Sequence, residues 1–137
     1  MADQYRETLT VRYRDMDAQG HMFFANYLVL ADEVAGHYME TLGFDWSHPD
    51  KFPCLVFTAN VNCDYLEECH AGDQVSVTVG YERIGNSSAT LGFFLTRQAD
   101  QCTLAKGSFT QVFVDKESRR PITVPDNIRA CMSRHTP

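Results

Sequence analysis

Paired cysteines, basic patches and long apolar runs are all missing from this 137-residue chain. Its five cysteines, Cys54, Cys63, Cys69, Cys102 and Cys131, are odd in number and include no C-x-x-C. That argues against a disulfide framework. Cys69-His70 lies near Cys63, but not at zinc-ligand spacing, so no metal or other cofactor is expected. Met1 to Thr10 is polar rather than signal-like, and reduced thiols then place the protein in the cytoplasm. No apolar run is long enough to cross a bilayer, so no membrane partner is expected. The net charge is −6, without long runs of either sign. A nucleic-acid partner would need a basic face, and none is supplied. An anionic small molecule needs only a few local Arg or Lys residues. The nucleophile elbow G-x-S-x-G, a phosphate loop and a dinucleotide fingerprint are also absent.

What is present suits one α+β domain over residues 1–137. Apolar content is 44% and charged content 22%, ample for a packed core. Tyr5 to Arg14 alternates, with Tyr5, Leu9, Val11 and Tyr13 inward, and predicts a half-buried strand. Phe24, Tyr27, Leu28, Ala31, Val34, Ala35, Tyr38 and Leu42 recur at helical spacing. Gly36 interrupts that helix at a cost of about 1 kcal/mol, which a closely approaching backbone would explain. Gly43 is placed to end it. Phe44 to Pro53 reads as a loop, with Trp46 and Phe52 lining a pocket or interface. Period-two patterning then takes over. Leu55, Phe57, Ala59, Val61, Cys63 and Tyr65 share one face of a strand. Further strands follow over Val75–Glu82, Ala89–Leu95 and Leu104–Val114, the last buried on both faces in its second half. Turns fall at Ala71-Gly72-Asp73, Gly85-Asn86-Ser87 and Asp100-Gln101. A charged loop, Asp115–Arg120, and a short helix, Asp126–Ser133, close the chain. One long helix must lie on a face of the sheet, and the sheet must curl around it. The outer strands leave edges that a second copy would pair.

The stretch from Asp15 to Leu28 carries the chemistry. It places Asp17 in a loop containing Gly20, just ahead of the longest helix. A helix start offers unpaired N–H groups and partial positive charge. A carboxylate there is a base or nucleophile beside a site for a developing oxyanion, the combination acyl transfer needs. As a structural residue, Asp17 would instead stabilise the helix end by about 0.3–1 kcal/mol. Asp15 is expected to fix the loop by hydrogen bonds. The run also resembles the start of a calcium loop, but Gln19 and Asn26 stand where that loop needs Asp or Asn and then Glu.

The pattern D-x-D-x-x-G-x-x-x-x-x-N-Y-L over Asp15–Leu28 resembles the signature of hotdog-fold thioesterases. It is most similar to the 4-hydroxybenzoyl-CoA thioesterase and YbgC-like acyl-CoA thioesterase group. Tyr65-Leu66 with Ala71-Gly72-Asp73, the turn Ile84–Ser88, and Phe113-Val114-Asp115 with Arg120-Pro121 and Pro125 resemble further segments of that group in order. The resemblance implies a five-stranded antiparallel sheet wrapped around one long central helix. It also implies a homodimer with a continuous sheet, often paired into a dimer of dimers.

It further implies an acyl-CoA thioesterase without a cofactor. Asp17 falls on the catalytic carboxylate, and the Phe24 backbone N–H on the oxyanion donor. Met22, Phe23 and Tyr27 are expected to shape an acyl pocket for a short-to-medium or aromatic group. His21 and Asn26 are expected beside the carbonyl and the Asp17 loop. Thr58, Ser87 and Ser88 are expected to reach the thioester from the sheet, across a dimer if not within one chain. Arg83, Arg97, Lys116, Arg119 and Arg120 are candidates for the phosphates of CoA. Ala25 stands where related members carry His, and Met22-Phe23-Phe24 replaces the Asn pairs of many long-chain enzymes. Rival readings are an acyl- or polyketide-carrier-protein thioesterase, a non-catalytic acyl-CoA-binding module, and a hydratase built on an Asp–His pair.

Overall fold

The computed structural model describes residues 4–133, with side chains described through Ala130. The N-terminal residues 1–3 and the side chain of Cys131 lie outside these. Strand β1 (Gln4–Thr10) leads through a short 3-10 turn (Tyr13–Asp15) to helix α1 (Phe24–Glu40). Strands β2 (Leu55–Tyr65), β3 (Gln74–Ile84), β4 (Ser88–Arg97) and β5 (Cys102–Val114) follow, then helix α2 (Asp126–Ser133). The strands form one sheet in the order β1-β3-β4-β5-β2, antiparallel at every pairing. One long helix against a five-stranded antiparallel sheet is the architecture the resemblance implies.

Helix α1 buries one broad face and leaves Val29, on the other, 58% exposed. Tyr27, Leu30, Ala31, Val34, Ala35, Tyr38 and Met39 are buried. They pack with Val75, Val77, Val79 and Tyr81 of β3 and Leu91, Phe93 and Leu95 of β4. Alternation along β3 and β4 aims these residues at the helix. A fully buried ring such as Phe93 or Phe113 contributes about 1.5–3 kcal/mol. The turn that follows the helix closes at Gly43, whose φ of +105° lets the Phe44 N–H bond the Met39 carbonyl at 3.2 Å.

Three expectations need correction. The first strand stops at Thr10, not Arg14. Beyond it Val11 pairs only with the Gly72-Asp73 turn, and Tyr13, in the 3-10 turn, is 89% exposed rather than half-buried. Gly36 is approached by the Trp46 indole, not by backbone; the indole N–H donates to the Gly36 carbonyl at 2.9 Å.

The third correction concerns β2. Its register against β5 shifts between Thr58 and Asn60. The extra residue, Ala59, reverses the phase of the strand. Val61, Cys63 and Tyr65 lie opposite Phe109, Gly107 and Ala105 and share the helix side with the buried core. Before the bulge that side belongs to Val56 and Thr58, opposite Phe113 and Gln111. Phe57 is turned outward, 43% exposed, under the Arg119 guanidinium. In β5, Phe109, Gln111 and Phe113 are buried on one face, and Ser108 and Val114 on the other are buried with Thr110 and Val112 half-buried between them, as expected of a strand covered on both sides.

Candidate active site

The loop before α1 is a closed knot of backbone hydrogen bonds. Met16 and Met22 form an antiparallel bridge. Inside it the Asp17 N–H bonds the His21 carbonyl at 3.0 Å, and the Gly20 N–H bonds the Asp17 carbonyl at 3.1 Å. Gly20 sits at φ +87°, a conformation that the turn demands and a side chain resists. Asp17 Oδ1 accepts the Gln19 N–H at 2.8 Å, which leaves Oδ2 the less engaged oxygen. Oδ2 stands 4.0 Å from His21 Nδ1. That nitrogen lies 3.1 Å from the Met22 carbonyl; a proton on Nδ1 donates there and leaves Nε2 as the open face of the ring.

Two anchors tie the knot to the helix and the sheet. The Asp15 carbonyl accepts both the Phe23 N–H at 3.0 Å and the Asn26 side-chain N–H at 2.8 Å. The Asp15 carboxylate accepts the Arg12 N–H at 2.8 Å, so Asp15 holds the loop. On the sheet side, the Met22 N–H bonds the Cys69 carbonyl at 2.8 Å, and the Ala71 N–H meets Met16 Sδ at 3.2 Å. The Tyr27 hydroxyl donates to the Glu67 carbonyl at 3.0 Å. Burial raises the Tyr27 hydroxyl pKa well above the usual phenol range, with the neighbouring Cys69 adding to it.

The helix start itself is bare. Phe23 occupies the N-cap position without a side-chain hydrogen bond, and the first turn holds no acidic residue. Among the described residues no acceptor meets the N–H of Phe24 or Ala25. Such a terminus favours negative charge. In front of it lies a hollow of about 410 Å³ lined by His21, Met22, Phe24, Tyr27, Tyr65 and Leu66, with Glu67 and Glu68 at its rim. The Tyr65 ring stands edge-on to Tyr27 at 5.2 Å and to Phe24 at 6.1 Å. Phe23 stacks obliquely on Phe24. Asp17 borders a separate hollow with Tyr13, Met16, Ala18, Gly20 and Ala71. His21 stands between the two.

The other sequence candidates lie elsewhere in the chain. Thr58 shares a small cavity with Asp32, Gly36, Trp46 and Gln111, beside the middle of α1. Ser88 begins β4, and Ser87 precedes it. The opposite end of β4, Arg97, bonds the Glu68 carbonyl at the rim of the helix-start hollow. Ten residues of strand separate the two ends by roughly 30 Å. Of the basic candidates, Arg97 is also held by Asp100 at 3.0 Å. Lys116 bonds the Asp50 carbonyl. Arg83 lines a hollow with Ser88, Thr90 and Thr110 at the far end of the sheet. Among the described residues no three His, Cys, Asp or Glu side chains cluster as metal ligands would. Sequence reasoning missed Leu66 and Glu67 as walls. The only hint was that Tyr65-Leu66 continues an apolar strand past its polar partners.

A hydrogen-bonded carboxylate loop leading into a bare helix start, with that helix laid on a curled antiparallel sheet, defines the hotdog thioesterase class. The model of the thioesterase-like superfamily matches residues 11–131, and the chain belongs to that family. It is 27% identical over 117 residues to the putative acyl-CoA thioesterase YneP of Bacillus subtilis, covering 85% of this chain and 84% of that one. It is 30% identical over 131 residues to a 1,4-dihydroxy-2-naphthoyl-CoA hydrolase of Synechococcus, covering 88% and 83%. Its fold matches that of a 4-hydroxybenzoyl CoA thioesterase mutant complexed with 4-hydroxybenzoyl CoA, at a TM-score of 0.83 and 16% identity, covering 95% and 99%.

Proposed function

We propose that this protein hydrolyses an acyl-CoA to the free acid and CoA, with Asp17 as nucleophile or general base and the Phe24 N–H as oxyanion donor. The observation that carries the proposal is the bare N–H pair at Phe24 and Ala25, one short knotted loop away from the Asp17 carboxylate. A carbonyl oxygen at the helix start gains negative charge as the thioester carbon becomes tetrahedral. One preorganised donor stabilises that charge by roughly 3 kcal/mol. Asp17 Oδ2 either bonds to the acyl carbon as the C–S bond breaks, giving an anhydride that water opens, or takes the proton of the attacking water. Asn26, through Asp15, holds the loop in place. Phe23, Phe24, Tyr27 and Tyr65 supply an aromatic wall for the acyl group, with Met22 beneath them.

The proposal includes a homodimer, and a pairing of dimers. The mouth of the helix-start hollow carries Glu67 and Glu68 and, among the described residues, is lined by no Lys or Arg. The phosphates of CoA are then met by basic residues beyond that lining, Arg97 at the rim or residues of a second copy. Strand β2 is an edge of the sheet with Phe57, Val61 and Tyr65 exposed, the kind of edge that pairs with a second copy.

Asp17→Asn tests the chemistry. The amide keeps the shape and can still accept the Gln19 N–H, so fold and substrate binding persist. Turnover should fall by roughly 10²–10⁴-fold. Near-full turnover in this variant would overturn the role of Asp17.

A further inference from the structure

We infer that the Met16 thioether is an oxidation site, and that its conversion to the sulfoxide by a hydroperoxide disables the loop that carries Asp17. The inference goes beyond the thioesterase reading above and rests on it only for the turnover it would change.

Met16 is tied down by backbone and side chain together. Its N–H donates to the Tyr13 carbonyl at 3.1 Å, and its backbone forms the bridge to Met22 that closes the knot. Its Sδ accepts the Ala71 N–H at 3.2 Å, from the turn that leads into β3. A thioether is a weak acceptor, so the side-chain link between the Asp17 loop and that turn is a weak one.

Exposure separates Met16 from other methionines of the chain. Met22 is fully buried and Met39 is 3% exposed. The side chains of Met1 and Met132 lie outside the described residues. Met16 is only partly buried, and it lines the hollow of about 430 Å³ that it shares with Tyr13, Asp17, Ala18, Gly20 and Ala71. A water molecule takes about 30 Å³ of liquid, so a small hydroperoxide fits beside the sulfur with room to spare.

The sulfur has two lone pairs, and the Ala71 N–H engages one of them. The other attacks the terminal oxygen of the hydroperoxide. An S–O bond forms as the O–O bond breaks. The proton of the attacked oxygen passes to the departing oxygen, which leaves as water or an alcohol. The sulfur is oxidised by two electrons, and the peroxide is reduced by two. A soft apolar group has become a polar, chiral one. Its oxygen carries partial negative charge into a hollow that Asp17 borders. Its sulfur carries partial positive charge and no longer suits the Ala71 N–H. That bond is lost, or it re-forms to the new oxygen with the sulfur pushed back. Either change moves Met16, and Asp17 is one peptide away. Misplacing a reacting group by about 1 Å costs about 10²-fold in rate. Sulfoxide reductases return the thioether, so the change is reversible.

The test treats the native protein with hydrogen peroxide, removes the peroxide, and adds dithiothreitol to restore oxidised thiols. Peptide mass spectrometry reads the oxygen added at Met16, and kcat and KM are measured on acyl-CoA. Met16 should oxidise ahead of Met22 and Met39. As it does, kcat should fall about 10- to 100-fold in step with the oxidised fraction, with KM little changed. Methionine sulfoxide reductases A and B together should restore kcat. The Ala71 amide resonance should shift on oxidation. Met16→Leu, close in size, should keep its own starting kcat through the treatment. Met16→Gln, polar at similar length, should show the loss without peroxide. Met16 left unoxidised, oxidised Met16 with undiminished kcat, or the same loss in Met16→Leu overturns the inference. The match between oxidised fraction and lost turnover is read in the native protein, so a variant that misfolds does not spare the inference. If no acyl-CoA is hydrolysed, it is the thioesterase reading that fails. Oxidation at Met16 and the shift at Ala71 then decide the site alone.

Discussion

The side chain of Asn26, one turn into α1, donates to the backbone carbonyl of Asp15 at 2.8 Å. The helix thereby holds the loop that precedes it. Asn26→Leu keeps the size of the side chain and removes that donor. The lost bond should cost about 1 kcal/mol of stability. Because Asp17 rides on the same loop, kcat should fall about tenfold or more while KM changes little. A steady-state assay beside a urea melt separates the two effects. An unchanged kcat with the same loss of stability would reduce Asn26 to a structural residue.

Gly36→Ala should stabilise the protein. A Cβ at this position would meet the Trp46 indole nitrogen at 3.8 Å, an ordinary contact, and glycine costs a helix interior about 1 kcal/mol. Calorimetry should show Tm rising by roughly 3 °C. The added methyl also enters the small cavity that Gly36 lines with Trp46 and Thr58; if long acyl groups reach it, their turnover should fall relative to short ones. A lower Tm would mean that Trp46 needs the space.

Stability should decline toward alkaline pH. Burial raises the pKa of the Cys54, Cys69 and Tyr27 side chains above their ordinary values. Each is therefore held neutral in the folded chain at a pH where the unfolded chain has ionised it. Their contribution is complete below the unfolded values, about 8.5 for a thiol and 10 for a phenol, and is lost as pH rises past them. The urea midpoint should fall stepwise between about pH 8 and pH 11. A flat midpoint across that range would contradict the burial of these groups.

The edge strand makes a prediction about assembly. Light scattering at micromolar concentration should report a dimer or larger. Val61→Lys places a charge on the exposed helix side of β2 and should shift the protein toward monomer, with loss of turnover. A fully active monomer would remove the second copy from the mechanism.

Much of this was visible in the residues. The 3.6-residue recurrence from Phe24 onward marked α1, and the alternation of Val75, Val77, Val79 and Tyr81 marked β3. Asp17 and Gly20 marked the loop, since glycine takes a turn conformation that a side chain resists, but the roles given to Asp17 and Asn26 came from the family resemblance. The bulge was not legible. Leu55, Phe57, Ala59 and Val61 alternate without interruption, and nothing local to them favours an extra residue; the shift is set by pairing with β5 fifty positions away. The end of β1 was missed for a related reason. Val11 and Tyr13 continue the alternation, yet the backbone at Val11 is claimed by the Gly72-Asp73 turn. Trp46 was expected at a pocket or interface, but its partner, a mid-helix carbonyl, carries no sequence signature.

The single extra residue at Ala59 divides β2 into two segments with independent facing. The segment from Val61 to Tyr65 ends at the hollow before α1, and the segment from Leu55 to Thr58 lines the cavity beside Trp46. Insertion or loss of one residue between them exchanges Val56 and Thr58 for Leu55 and Phe57 at that cavity while Tyr65 stays beside Phe24 and Tyr27. A hydroxyl-lined cavity becomes a phenyl-lined one in a single genetic step.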